Sequence, residues 1–393
     1  MNIKELDKKY VLPTYARVDV EFVSGENARL KDSDGKDYID FTSGIGVVSV
    51  GHANQRVNSA ITKQISNITH TSNLYYIGSQ AKAAQKVVEA SGYNMQCFFG
   101  NSGAEANEGA IKIARKWGER DGEIKRYKII TLQHSFHGRT ITTVKATGQE
   151  SMHNYFGPFP DGFVYADDIA QIESLLDDHT AGVMIELVQG EGGVQPQDKE
   201  AVQNLAKLLK KRDVLLIVDE VQTGGYRTGE FLASQVYDIT PDIITLAKGV
   251  GGGVPVGIVM TTLKDVLGAG DHGSTFGGNF LSTAAVCEVM DILSEQKSSG
   301  ELEKTIEYFN QKLDDFFSSH KEIFIQKVGI GLMCGLRVKD ADTLSNIISN
   351  SKDNGVMVLK AGRNTLRFLP PLTITKDEID EGFDALLKAV ANI

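Results

Sequence analysis

The chain has 393 residues, 41% of them hydrophobic and 23% charged, which is the composition of an ordinary soluble globular protein with about two or three domains. The formal charge of −10 comes from 41 basic and 51 acidic side chains, and no run of five or six basic residues occurs, which disfavours nucleic acid or an anionic membrane as a partner. No stretch approaches the ~18 consecutive apolar residues of a membrane span. The polar N-terminus lacks the apolar core of a signal peptide, so a reducing, cytoplasmic setting is expected. The three cysteines are far apart, which predicts neither disulfides nor a metal site.

In chain order, residues 1–50 predict a short helix and then strands, with a hairpin turn at Asp34-Gly35, and we expect them to join the small domain described below. Residues 51–275 alternate apolar strand-like runs with amphipathic helices. This pattern is typical of an α/β domain with a mainly parallel sheet and helices on both faces. The predicted strands are Gln96-Phe99, Lys128-Leu132, Gly182-Val188, Val214-Val218, Ile243-Leu246 and Gly257-Thr261.

Residues 276–393 change to long helices followed by short strands, which predicts a smaller α+β domain. Its last helix opens with Thr375 and Glu378 at the spacing of a capping box.

Two charged side chains end neighbouring apolar runs of the α/β domain. Asp219 ends the run Val214-Val218, and Lys248 ends the run Ile243-Ala247. In a parallel sheet both would lie at the edge where such sheets bind ligands. A lysine for a Schiff base and an acid for a pyridinium nitrogen are what a pyridoxal phosphate site requires, although strands often end in charged residues.

The segment Gly100–Arg115 (GNSGAEANEGAIKIAR) predicts a strand, a turn and the start of a helix. The free N–H groups and the macrodipole of a helix start favour an anion. A plain helix cap at Ser102 would give the same pattern.

The stretches IVDEVQTGGYRTG and TLAKGVGGGVPVG, with NSGAEANE and SFHGRT, resemble the class III aminotransferases, the ornithine, acetylornithine and 4-aminobutyrate type. The resemblance covers the chain from about Tyr15 to the last helix. It implies the fold type I of pyridoxal-phosphate enzymes, with a seven-stranded-type sheet in the large domain. It also implies pyridoxal 5'-phosphate as the cofactor, Lys248 as its Schiff-base residue, Asp219 at the ring nitrogen, and a homodimer with active sites at the interface.

The resemblance also assigns cofactor contacts: Ser102, Gly103 and Ala104 to the phosphate, Phe136 and Val221 to the two ring faces, Gln222 to the ring oxygen, and Thr275 to the phosphate of the other subunit. His134 and His137 have no partner at ligand spacing, so we expect both to be structural.

The substrate contacts are expected in four places. Arg139 can grip a carboxylate with two parallel hydrogen bonds. Glu186 lies within an apolar run, where a carboxylate needs a partner, and the resemblance implies that it masks Arg367 until 2-oxoglutarate arrives; a fixed salt bridge is the alternative. Ile45 stands where ornithine aminotransferases have a tyrosine, which suits an acylated amine. Ser274, beside Thr275, completes the set.

The resemblance is closest to acetylornithine aminotransferases, which implies transfer of the terminal amino group of N2-acetylornithine to 2-oxoglutarate in arginine biosynthesis. Aminotransferases of N-succinyl-diaminopimelate, ornithine or 4-aminobutyrate are alternatives within the class. A glutamate-1-semialdehyde-type aminomutase and a non-catalytic cofactor-binding protein are the more distant alternatives.

Overall fold

A seven-stranded mixed sheet forms the centre of the structure, a computed structural model that describes residues 2–120, 122, 125–391 and 393. The strands are β1 Phe22–Glu26, β2 Arg29–Asp32, β3 Asp37–Asp40, β4 Gln96–Gly100, β5 Lys128–Leu132, β6 Phe163–Ala166, β7 Thr180–Ile185, β8 Val188–Gln189, β9 Gln195–Pro196, β10 Leu215–Asp219, β11 Ile243–Leu246, β12 Gly257–Thr261, β13 Phe324–Ile330, β14 Met333–Val338, β15 Val356–Met357, β16 Leu359–Ala361 and β17 Thr365–Phe368.

The helices are α1 Ile3–Tyr10, α2 Ser43–Gly46, α3 Gln55–Ile65, α4 Gly78–Ser91, α5 Gly103–Trp117, α6 Ile141–Ala146, α7 Ile172–Leu175, α8 Lys199–Arg212, α9 Ala233–Val236, α10 Phe280–Ser299, α11 Glu301–Ser319, α12 Ala341–Asp353 and α13 Lys376–Val390. Two 3-10 turns cover Glu150–Met152 and Lys248–Gly251. None of the helices in the described part of the chain is long and apolar enough to cross a bilayer.

The central sheet has the strand order β4-β12-β11-β10-β7-β5-β6. Strand β12 pairs antiparallel with both of its neighbours, and the other pairings are parallel. The prediction of a mainly parallel sheet flanked by helices is therefore confirmed. The carboxyl ends of β10 and β11 lie side by side, with Asp219 opposite Thr245.

One predicted strand is divided in the structure. The run Gly182-Val188 was predicted as a single strand, but β7 ends at Ile185 and Val188 begins a separate two-stranded sheet with β9. Glu186 therefore follows the strand instead of lying within it. There the Glu186 carboxylate accepts the backbone N–H groups of Phe136 and Gly190.

Strands from both ends of the chain share one small sheet. β3 pairs with β2 on one side and with β15, more than 300 residues later, on the other. A second small sheet consists of β13, β14, β17 and β16. The largest apolar cluster runs from Val87 on α4 through Val289 on α10 to Phe309 and Phe383 on the last helices. This apolar cluster contains residues from all three predicted ranges, 1–50, 51–275 and 276–393. The division of the chain into domains at these boundaries therefore remains a prediction.

The helix starts follow from their caps. Ser102 caps α5 by accepting the N–H of Glu105 at 3.2 Å, and Thr375 and Glu378 form the predicted capping box of α13. These caps satisfy N–H groups that a helix leaves unpaired at its first turn.

Candidate active site

A cavity of about 410 Å³ opens at the carboxyl edge of the central sheet, a size suited to a cofactor-sized ligand. Several predicted site residues line it: Ser102, Gly103, Ala104, Phe136, Arg139, Asp219, Val221 and Lys248. A larger cavity of about 660 Å³ lies at the opposite edge, around Trp117 and Asp242, and contains none of the predicted site residues.

Lys248 lies two residues after the end of β11 and has a left-handed backbone, with φ of 47°. Burial lowers the pKa of its amine from the usual value, and the Arg367 guanidinium lowers it further. The Glu191, Asp219 and Glu186 carboxylates act in the opposite direction without cancelling the effect. A larger fraction of this amine is therefore uncharged at neutral pH than of an exposed lysine, as a nucleophile or base requires.

Asp219 is the last residue of β10, and both of its carboxylate oxygens have hydrogen-bond partners in the protein. Its Oδ2 accepts the Asn107 Nδ2 at 2.7 Å and lies 2.8 Å from the His137 Nδ1. Its Oδ1 accepts the backbone N–H of Val221 at 3.0 Å. The carboxylate is only 4% exposed, so its orientation is fixed by these bonds and by the surrounding packing.

The start of α5 lines the same cavity as Lys248. The N–H groups of Gly103 and Ala104 have no partner within the helix, since a helix leaves its first N–H groups unpaired. Ser102 accepts the N–H of Glu105, so its hydroxyl hydrogen remains available to an anion. A Cβ on Gly103 would lie 2.7 Å from the Val221 Cγ1, and this close approach explains the glycine.

Phe136 connects to Glu186 through its backbone. The Phe136 N–H donates to the Glu186 Oε2 at 2.9 Å, and the Gly190 N–H reaches Oε1 at 3.4 Å. Burial raises the pKa of Glu186 to about 7. The Arg139 guanidinium, which is exposed, lies 5.5 Å from the centroid of the Phe136 ring.

The predicted pairing of Glu186 with Arg367 is wrong. The Arg367 guanidinium, buried on β17, donates to Glu191 Oε1 at 2.7 Å and to Gln222 Oε1 at 3.3 Å. Burial raises the pKa of Glu191, but Arg367 outweighs that effect and leaves it below its usual value. Glu186 is instead occupied by the backbone of Phe136 and Gly190.

The remaining predicted residues lie around the cavity without lining it. Gln222 is buried against Arg367, and Ile45 is 41% exposed in α2, two residues before Val47 of the cavity wall. Ser274 accepts the Asn101 Nδ2 at 3.1 Å, while Thr275 is exposed in the single chain.

Four polar residues near Asp219 and Arg367 were not predicted from the sequence as site residues: Asn107, His137, Glu191 and Thr245. A buried asparagine on the apolar face of α5 and a threonine inside β11 were signals that the pattern did offer. For His137 and Glu191, sequence spacing gave no signal, because their partners are 82 and 176 residues away. Among the described residues, no group of three or more His, Cys, Asp or Glu side chains is placed to hold a metal.

Comparisons with known proteins agree with this geometry. The family model described as Aminotransferase class-III matches residues 13–390. The acetylornithine aminotransferase of Wolinella succinogenes is 58% identical over 389 residues, 99% of both chains. A solved ornithine aminotransferase from Toxoplasma gondii, with partial occupancy of PLP at its active site, has a TM-score of 0.93 and 34% identity, over 99% of this chain and 93% of that one. The N-acetylornithine aminotransferase of Stenotrophomonas maltophilia has a TM-score of 0.84 and 32% identity over 98% of both chains. The fold that the motifs implied is confirmed.

Proposed function

Because this chain belongs to the class III aminotransferases, we propose that it moves the terminal amino group of N2-acetylornithine to 2-oxoglutarate, forming N-acetylglutamate 5-semialdehyde and glutamate, as a step of arginine biosynthesis. The main support for an aminotransferase reaction is a single cavity lined by Lys248, Asp219 and the first residues of α5, whose N–H groups are unpaired within the helix. The choice of donor is supported by the 58% identity to the acetylornithine aminotransferase of Wolinella succinogenes.

Membership of this family implies pyridoxal phosphate, and the residues fit that group. The N–H groups of Gly103 and Ala104 suit its phosphate, because donors and dipole both point at the ligand. Phe136 and Val221 line the cavity, where they can contact the two faces of the pyridine ring. Aromatic stacking contributes ~0.5–1.5 kcal/mol in addition to the burial of apolar surface. We assign Gln222 to the ring oxygen.

When bound, pyridoxal phosphate supplies a ring that takes up the electrons left on the substrate carbon as its proton departs. Lys248 would hold this group covalently through its Nζ, and the lowered pKa of the amine suits the freed Nζ to move the proton at the reacting carbon. Asp219 would hold the proton on the ring nitrogen.

Two arginines serve the substrate carboxylates. We assign Arg139, exposed at the cavity wall, to the carboxylate of the donor, and Arg367 to the oxo acid. The Glu191 carboxylate masks Arg367 while the donor is bound and gives way to 2-oxoglutarate. A bidentate carboxylate can replace Glu191 because both offer the same charge and geometry.

A homodimer with active sites at the interface completes the proposal, with Thr275 reaching the phosphate of the second subunit and Ser274 beside it. It is supported by an exposed apolar patch formed by Leu74 (88% exposed), Tyr76 (105%) and Phe276 (61%), since patches of this kind mark interaction sites. Asn73 holds the two loops of this patch together by donating to the carbonyls of Ser274 and Gly277.

A Tyr76→Asp variant should sediment as a monomer and lose cofactor affinity. A dimer of unchanged stability would contradict this placement.

The reducing cytoplasm is the proposed location. Cys97, Cys287 and Cys334 are all unpaired thiols in the structure, and disulfides are rare in that compartment.

The test is a steady-state assay of purified protein loaded with pyridoxal phosphate. We expect the highest kcat/KM with N2-acetylornithine among four donors, the others being N-succinyl-diaminopimelate, ornithine and 4-aminobutyrate. Turnover should stop without 2-oxoglutarate, whereas an aminomutase needs no external oxo acid. Equal kcat/KM with ornithine would contradict the donor, and a Lys248→Ala protein at the wild-type rate would contradict the mechanism.

A further inference from the structure

We propose that His137 is a positioning residue, whose ring Nδ1–H holds the Asp219 carboxylate in the orientation that the ring nitrogen of the cofactor requires. This inference rests on the proposed function, because it needs Asp219 to face that nitrogen. The finding that leads to it is the 2.8 Å separation of the His137 Nδ1 from the Asp219 Oδ2, with the histidine side chain fully buried.

The direction of this hydrogen bond follows from the partners. An ionised carboxylate accepts and has no hydrogen to donate, so Nδ1 carries the proton. Hydrogen bonds to a charged group contribute more than neutral ones. The bond therefore selects one tautomer of His137 and one rotation of Asp219.

The main chain of His137 is held on both sides, which fixes the place from which the ring reaches Asp219. Its N–H donates to the Thr147 Oγ1 at 2.9 Å, and its carbonyl oxygen accepts the Asn107 Nδ2 at 2.7 Å. Glycine follows it at φ of 137°, where a Cβ would lie 2.8 Å from that of Ala104. The segment bearing His137 is thereby locked against the start of α5.

Asn107 is a second support of the same carboxylate and has its own orientation fixed. Its Oδ1 accepts the Thr245 Oγ1 at 2.7 Å, so its Nδ2 must face Asp219 and the His137 carbonyl. The Asp219 carboxylate thus has three hydrogen-bond partners. Asn107 and His137 contact Oδ2, and the Val221 N–H donates to Oδ1.

The environment of the second ring nitrogen of His137 indicates which nitrogen carries the hydrogen. Nε2 is buried and has no hydrogen-bond partner among the described residues. A proton there would lack an acceptor, which is costly for a buried charged donor. The tautomer with its hydrogen on Nδ1 is therefore favoured, and that hydrogen is the one that Asp219 accepts.

The test compares two amide variants of the full-length protein. In His137→Asn the amide nitrogen can occupy the place of Nδ1, whereas in His137→Gln it reaches the place of Nε2. Pyridoxal phosphate is titrated into each apo-protein to obtain its dissociation constant, and kcat and KM are then measured on the loaded protein. The melting temperature of each apo-protein reports on folding.

We expect His137→Gln to bind pyridoxal phosphate about ten- to hundredfold more weakly, as for a lost hydrogen bond to a charged group. Its kcat should fall with the KM for N2-acetylornithine little changed, while His137→Asn stays near wild type. Equal losses in both variants, or no loss in either, would overturn the inference, because the Nδ1 bond would then not be what matters. A wild-type protein that bound no pyridoxal phosphate would instead refute the proposed function.

Discussion

The Arg367 guanidinium donates to Glu191 Oε1 at 2.7 Å and not to Glu186, the partner that the sequence had suggested. Glu191 follows Gly190 in the loop after β8, where its side chain is 30% exposed, while that of Arg367 is 2% exposed. Glu191 is thus the partly exposed partner of the pair and has room to move away, whereas the Arg367 side chain is held by burial. Glu186 is fully committed to backbone N–H groups.

Replacing Glu191 should therefore affect oxo-acid binding, and replacing Glu186 should not. In Glu191→Gln the acceptor geometry remains without the competing charge, so the KM for 2-oxoglutarate should fall roughly tenfold, equivalent to ~1.4 kcal/mol. Steady-state kinetics measure this change, with Glu186→Gln as the matched control. A KM that falls in the control and not in Glu191→Gln would restore the original pairing.

The turn at Gly103 should not tolerate a side chain. In Gly103→Ala the new Cβ would lie 2.7 Å from the Val221 Cγ1, and a β-branched residue on a fixed backbone cannot easily move away. Overpacking of this kind costs about 1–3 kcal/mol, which predicts cofactor affinity lowered about five- to hundredfold. The Gly103→Ala/Val221→Ala double variant should lose less than the two single variants together. Simple additivity in this double-mutant cycle would argue against the contact.

The buried Lys248 side chain should lower the free energy of unfolding of the apo-protein at neutral pH. Its folded pKa lies below its unfolded value, so between the two values the unfolded chain binds more protons and stability rises with pH. At lower pH the folded state bears the cost of a buried charge. Lys248→Met should therefore have the higher urea midpoint at pH 7, with a difference that shrinks as the pH approaches 10.5. A difference that is constant over this range would show that the variant acts through packing and not through charge.

Glu186 gives a prediction of the opposite sign. Burial raises the pKa of its carboxyl to about 7 from a usual 4.5, so the folded state binds more protons between these values and stability falls as pH rises through them. Glu186→Gln, which cannot ionise, should become more stable relative to wild type from pH 4.5 to 7, by about 2–3 kcal/mol. Urea unfolding of both apo-proteins at several pH values measures this. A gap independent of pH would show that Glu186 stays ionised when buried.

Ile45 should influence the choice between donors. It has φ of 67°, a conformation that a β-branched residue rarely adopts, so an aromatic residue can replace it without added backbone strain. Ile45→Tyr should raise kcat/KM for ornithine relative to N2-acetylornithine by about tenfold, the contribution of one hydrogen bond to a charged group. Ile45→Phe is the matched control, because it adds the ring without the hydroxyl. Equal effects of both variants would assign the change to size.

The strands of the central sheet were predictable where both faces are buried. The bounds of β5, β11 and β12 agree with the prediction, because strands buried on both faces require continuous apolar runs. Strand β6, Phe163–Ala166, was not predicted. It is a four-residue strand at the edge of the sheet, and its two middle residues are only partly buried.

The sequence by itself determined the fold and indicated Asp219 and Lys248 as candidate reacting groups, since apolar runs, glycine turns and charges at strand ends are local patterns read within a few residues. Only the tertiary structure decided which side chains meet. Glu191 rather than Glu186 pairs with Arg367, and His137 supports Asp219, because each contact joins residues far apart in the chain. Buried charges and donors take whichever partner the packing brings within about 3 Å, and local spacing carries no information about that distance.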